Sequence, residues 1–145
     1  MMDSMRFNHA TIAVSDLPRS EDFYRRLGLT QIVGKHPHYA RFAFPEGDST
    51  LSLYSDGPPV ASSTTMLFFE CDDLDERVEM LKGEGIGFFE EPNDKPFGWR
   101  EAYLADPDGH IICLYCAGEY RLLPPWRLGP DGEPMAPQPG VDIVP

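Results

Sequence analysis

The chain has 145 residues, with 12 basic against 24 acidic side chains and a net charge of −12. That length suits a single domain with a real core, and the acidic excess repels polyanions, which argues against nucleic acid as a partner. No apolar run is long enough to cross a bilayer, and the opening MMDSMRFNHA has no basic-then-apolar signal pattern, so a cytoplasmic protein with no membrane partner is expected.

In chain order, the first apolar run, Thr11 to Val14, suits a strand. Ser15 and Asp16 then offer N-cap oxygens and Pro18 fits a first helical turn. Phe23, Tyr24 and Leu27 fall on one helical face, and Gly28 supplies a left-handed stop. HYARFAF and TLSLYS follow as strands joined by the turn PEGDS. From Met66 the same order recurs. A strand over Met66 to Phe69 leads to candidate caps Asp72 and Asp73. A helix with Leu74, Val78 and Leu81 on one face ends at Gly83, and WREAYLA and HIICLYC flank the turn DPDG.

The two segments match at a fixed offset: His9 lies over Met66, Asp16 over Asp73, and Ser52 over Cys113. A duplication bounds the fold more firmly than local propensity does. It predicts an α+β architecture of two tandem βαβββ modules, residues 7–56 and 65–117, forming a cupped mixed sheet with helices outside. One helix per module leaves a sheet face uncovered, so the site belongs at the strand centres rather than in the loops. Residues 1–118 form the predicted domain. Residues 119–145 are an extension with seven prolines that exclude regular helix and central strand. Leu122, Leu123, Trp126 and Leu128 make its first part apolar enough to pack on its own domain or on a second subunit.

Three cysteines, Cys71, Cys113 and Cys116, are an odd number, which does not suit a disulfide framework. Cys113 and Cys116 form a C-x-x-C, yet residues three apart on a strand point to opposite faces, so they do not close on one zinc ion.

The stretches HATIAVSDLPRSEDFYRRLGL, FECDDLDERVEMLKGEGI and REAYLADPDGHIICLY resemble the vicinal oxygen chelate superfamily over most of residues 7–117. That superfamily includes glyoxalase I, extradiol dioxygenases, fosfomycin-resistance enzymes and bleomycin-resistance proteins. The Asp106-Pro107-Asp108-Gly109 turn is the most characteristic piece. In metal-dependent members, the resemblance implies ligands from the first and last strand of each half. Here those positions hold His9, Ser52, Met66 and Cys113, and only His9 is of the expected type. A hydroxyl and a thioether are poor partners for a hard divalent ion, and an apolar neighbourhood keeps a thiol protonated. No cofactor is predicted; if a metal binds, His9 and Cys113 are the candidates.

Without metal, alternation gives a mixed lining. His9 shares a face with Thr11, Ser52 with Tyr54, Met66 with Phe68 and Glu70, and Cys113 with Tyr115. Trp99 groups with Glu101 and Tyr103, and Arg100 with Ala102, with the inward group left open. Aromatic and sulfur side chains with a few hydroxyls describe a small-molecule pocket. The predicted ligand-binding residues are therefore Thr11, Ser52, Tyr54, Met66, Phe68, Trp99, Arg100, Tyr103 and Cys113. Arg100 is a carboxylate clamp or a surface partner of Glu90 or Glu91. His9 is the one candidate acid or base; His36 and His38 are a chelating pair or surface groups; His110 reads as structural.

Two functions compete. The first is a metal-free binder, similar to the bleomycin-resistance branch, holding an aromatic or cationic small molecule. The second is a lyase, isomerase or dioxygenase with an unusual divalent-metal site drawn from His9, Cys113, Tyr54, His36 and His38. Catalysis by His9 without metal is a third. Members of the superfamily pair, so a homodimer is expected.

Overall fold

The structure is a computed structural model and describes residues 3–56, 63–137 and 139. The far end of the arm and the segment 57–62 lie outside the described residues. The first module runs β1 (His9–Ala13), α1 (Leu17–Leu27), β2 (Thr30–Lys35), β3 (Tyr39–Ala43) and β4 (Thr50–Tyr54). The second runs β5 (Met66–Glu70), α2 (Leu74–Gly83), β6 (Glu90–Asp94), β7 (Arg100–Ala105) and β8 (Ile111–Cys116). Each builds one four-stranded sheet, in the orders β1-β4-β3-β2 and β5-β8-β7-β6. The first and last strands of each module lie parallel side by side, His9 opposite Thr50 and Met66 opposite Ile111. These are the two tandem βαβββ modules of the α+β class that the duplication implies.

The helices form where their caps permit. The Asp16 carboxylate accepts from the backbone N–H of Arg19, Pro18 sits in the first turn, and Gly28 closes α1 at φ 115°. Tyr24 and Leu27 are buried, with Leu17 beside them. At α2, Asp73 occupies the N-cap without a side-chain cap bond, and its carboxylate instead holds Arg77 at 3.1 Å. Leu74, Val78 and Leu81 are buried as their spacing requires. In the first sheet Ile12, Ala40, Phe42, Leu51 and Leu53 are buried on the side that α1 covers. In the second, Ala102, Leu104, Ile112 and Leu114 do the same for α2.

The chain divides into two compact units, Met1–Thr65 with Ala105–His110, and Met66–Leu104 with Ile111–Pro145. The turn between β7 and β8 thus belongs with the first unit, and its hydrogen bonds say why. Asp106, nearly buried, accepts from the Tyr24 hydroxyl at 2.7 Å and from the backbone N–H groups of Asp108 and His110. Asp108 accepts from the backbone N–H and hydroxyl of Ser15. His110 is buried, one ring nitrogen 2.7 Å from the Ala13 carbonyl and the other 2.6 Å from the Ser63 hydroxyl. The expectation of a structural His110 agrees with that environment.

The start of the extension is a short turn of 3₁₀-helix, Gly118–Tyr120. Tyr120 lies over Gly98, where any Cβ would sit 2.2 Å from its ring, and its carbonyl accepts from the Trp99 indole at 3.3 Å. Trp126 packs edge-on against Tyr120. Leu122, Leu123 and Leu128 are more than half exposed.

Candidate functional site

Alternation along the first sheet leaves one face uncovered by α1, and that face is polar. His9 is fixed between two hydroxyls, Nδ1 at 2.6 Å from Thr50 and Nε2 at 3.2 Å from Thr11. Ser52 is fully buried and lies 2.6 Å from the Tyr39 hydroxyl, which also accepts from Arg41 Nε at 3.0 Å. The Arg41 guanidinium sits over the Tyr39 ring. Burial pushes the Tyr39 phenol up, but the hydrogen bonds with Ser52 and Arg41 outweigh it and leave its pKa below the ordinary value. Tyr54 is about half exposed. Thr11, Ser52 and Tyr54 therefore share one face with His9. The Tyr39 and Arg41 beside them were legible in the alternation of HYARFAF but not singled out.

The corresponding face of the second sheet is aromatic. Cys113 and Tyr115, both buried, pack with Phe68, Trp99 and Tyr103. Trp99 stacks on Tyr115 with centroids 4.6 Å apart and planes 14° from parallel, while Phe68 meets both rings edge-on. Phe97 adds another edge to Trp99. The open choice on β7 is thereby resolved: Trp99, Glu101 and Tyr103 face this cluster, and Ala102 faces α2. Arg100 lies with Ala102. Its guanidinium makes a two-pronged contact with Asp75 in α2 at 2.9 Å and reaches Asp94 at 3.0 Å. It is apart from the aromatic cluster, and its partners are these two aspartates rather than Glu90 or Glu91.

A cavity of about 660 Å³ opens in this second unit. Met66, Phe89, Phe97, Glu101, Tyr103 and Ile111 are among its walls. Phe89 is 63% exposed and stacks on Tyr103 at 5.9 Å, so an aromatic edge stands ready at the rim. Of the residues expected to bind ligand, Met66 and Tyr103 line the cavity, while Phe68, Trp99 and Cys113 belong to the cluster in which Tyr103 packs. Phe89 and Phe97 were missed because they precede and follow β6, where the period-two signal is interrupted. Glu101 was grouped with Trp99 and Tyr103 by alternation but was not among the residues expected to bind ligand.

Glu101 is the chemically unusual group. It is 1% exposed. Tyr103 donates to Oε1 at 3.0 Å, whereas Oε2 has no hydrogen-bond partner among the described residues. Burial raises its pKa, the Tyr103 hydrogen bond and Lys95 counteract, and Glu90 adds to the rise. Next to it, burial and the Glu101 charge push the Cys113 thiol up to about 12. Lys95 is held by Glu90 at 2.6 Å.

The donor set at the positions where metal-dependent relatives of the fold place ligands does not fit a hard divalent ion. His9 has both ring nitrogens in hydrogen bonds to threonines, Ser52 is committed to Tyr39, Met66 offers a thioether, and Cys113 holds its proton. His36 pairs with Glu21 at 2.8 Å and His38 faces the Ser55 carbonyl at 3.0 Å, so these two histidines have separate partners.

Tandem βαβββ modules, each with its first and last strands parallel, define a protein of the glyoxalase-like architecture. The model of the Glyoxalase/Bleomycin resistance protein/Dioxygenase superfamily matches residues 6–114, and the chain belongs to that superfamily. It is 34% identical over 115 residues to the phenazine antibiotic resistance protein EhpR of Enterobacter agglomerans, an alignment covering 72% of this chain and 87% of that one. Among solved structures, a superfamily member from Nocardioides matches with a TM-score of 0.70 at 23% identity, over 89% of this chain and 93% of its own. TnmS3, an antibiotic binding protein from Streptomyces sp. CB03234, matches at 0.68 and 25% identity, over 81% and 100%.

Proposed function

We propose that the protein binds and sequesters a planar aromatic small molecule of the antibiotic kind, without a resident metal and without a catalytic role for His9. The observation that carries this is the aromatic face of the second sheet beside the cavity. There, stacked and edge-on rings from Phe68, Trp99, Tyr103, Tyr115 and Phe89 adjoin a cavity of drug-sized volume. Such a surface offers rigid stacking area at low entropic cost. Its relatives support the reading, since one is a phenazine antibiotic resistance protein and another an antibiotic binding protein. Both ring nitrogens of His9 are engaged by threonine hydroxyls, which supports binding over turnover. The three free cysteines accord with a cytoplasmic setting. The exposed leucines of the arm accord with a homodimer.

The test is a titration with phenazine, followed by tryptophan fluorescence and by thermal unfolding. Saturable quenching and a rise of Tm with ligand concentration are expected. Ligand recovered chemically altered, or no quenching and no shift with phenazine and related tricyclic rings, would overturn the proposal. Added zinc, manganese or nickel should leave Tm unchanged.

A further inference from the structure

The cavity of the second unit carries one polar group that the protein itself leaves unsatisfied. Burying a carboxylate oxygen without a donor costs free energy that native structures seldom leave uncompensated. Glu101 Oε2 is in that position, closed to water and without a hydrogen-bond partner among the described residues. The other charges on the cavity wall have partners: Glu90 holds Lys95, and Asp94 holds Arg100. Cys113, on the neighbouring strand, keeps its thiol proton and supplies no cation. When ionised, Glu101 is therefore the carboxylate of the cavity wall that has no ion-pair partner of its own among the described residues, and the groups facing it are Tyr103, Cys113, Lys95 and Glu90. Glu101 itself lines the cavity, so a donor entering the cavity can approach the free oxygen while Tyr103 holds the other.

We propose that Glu101 is the polar recognition element of this cavity and that the ligand is a planar heteroaromatic cation donating an N–H to Glu101 Oε2. This assignment rests on the binding function above and specifies the ligand class. The aromatic walls take the ring faces, and a ring or exocyclic N–H⁺ supplies both the missing donor and the missing charge. Tyr103 serves twice, stacking against Phe89 and fixing the other carboxylate oxygen by donating to Oε1. Neutral planar molecules gain the stacking alone.

Three tricyclic probes separate these contributions by calorimetric titration: aminoacridine, cationic with N–H donors; N-methylacridinium, cationic without a donor on its ring nitrogen; and phenazine, neutral. A charge-assisted hydrogen bond predicts that aminoacridine binds about tenfold to hundredfold more tightly than the other two. Glu101→Gln should abolish most of that preference while changing the phenazine affinity by less than about threefold. The comparison of the three probes needs only the wild-type chain, so it stands even where the variant fails to fold. Equal binding of aminoacridine and phenazine by the wild type overturns the role of Glu101 and leaves the binding function intact. A preference that persists in Glu101→Gln does the same. Binding of none of the three overturns both.

Discussion

The two modules share a backbone plan and put it to different uses. Their first strands start at His9 and Met66, each runs five residues, and each pairs in parallel with the last strand of its module. Across that pairing, Thr11 stands opposite Ser52 in one sheet and Phe68 opposite Cys113 in the other. The first face closes into a hydrogen-bonded polar network. The second becomes a bed of aromatic rings beside a cavity. Duplication preserved hydrogen-bond register, which the main chain enforces, while the outward-facing side chains were free to diverge. The turns diverge likewise. Residues 45–49 are exposed, whereas Asp106–His110 is a clamp bonded to Tyr24, Ser15, Ala13 and Ser63.

The largest expected effect tests whether the second face suppresses charge. With its pKa pushed up to about 12, Cys113 should react with iodoacetamide at neutral pH at least about a thousandfold more slowly than an unfolded-chain thiol. Mass spectrometry of the peptide containing Cys113, in native and denatured protein, reads this directly. Comparable rates would show that the Cys113 environment is as polar as the face of the first sheet.

The turns come next. Asp106→Ala orphans the Tyr24 hydroxyl and two backbone N–H groups, and should cost about 3 kcal/mol by urea denaturation. Asp48→Ala, in the exposed turn of the first module, should stay within about 0.5 kcal/mol. A similar cost for both would erase the distinction between clamp and loop. Smaller again is the contrast between faces in binding. Phe89→Ala should weaken phenazine binding about tenfold with little change in stability, because the ring is mostly exposed in the free protein. Ser52→Ala should lose about 1 kcal/mol of stability with its hydrogen bond to Tyr39 and leave affinity within about twofold.

The sequence showed the repeat, the helix caps and the alternating groups on each strand, since these follow from periods of two and 3.6. The offset that placed His9 over Met66 corresponds to strand starts at those two residues. It did not show which group of β7 turns from the helix, because Trp99-Glu101-Tyr103 and Arg100-Ala102 are each plausible on either face by residue type. Asp75 of α2, distant in the chain, and Asp94 of the adjacent strand both hold Arg100, with Asp75 placing it on the α2 side. Nor did it reveal Phe89, which stands just outside a strand whose pairing is irregular between Glu90 and Asn93. The meaning of Glu101 was hidden for a related reason: its isolation depends on which neighbours are already paired, and that is a property of three-dimensional arrangement.

The smallest effect sharpens the comparison at two buried acids. Glu21 in the first module has both oxygens engaged, by His36 at 2.8 Å and Gln31 at 2.6 Å, whereas Glu101 has one oxygen engaged and the other bare. Burial, chiefly, raises the Glu101 pKa in the folded protein, so folding favours its protonated form. A carboxyl of this kind supports stability in full below its unfolded-state pKa of about 4.3 and loses that support as pH rises through the raised folded-state value. Glu101→Gln cannot ionise and does not pay that growing penalty. The stability of the variant relative to wild type should therefore shift in the variant's favour from pH 4 upward and level off once Glu101 is ionised in both states, whatever the offset set by the amide itself. Denaturation curves for the two proteins across that range measure the slope. A difference independent of pH would mean that Glu101 is as well satisfied as Glu21, and the asymmetry between the modules would end at their aromatic residues.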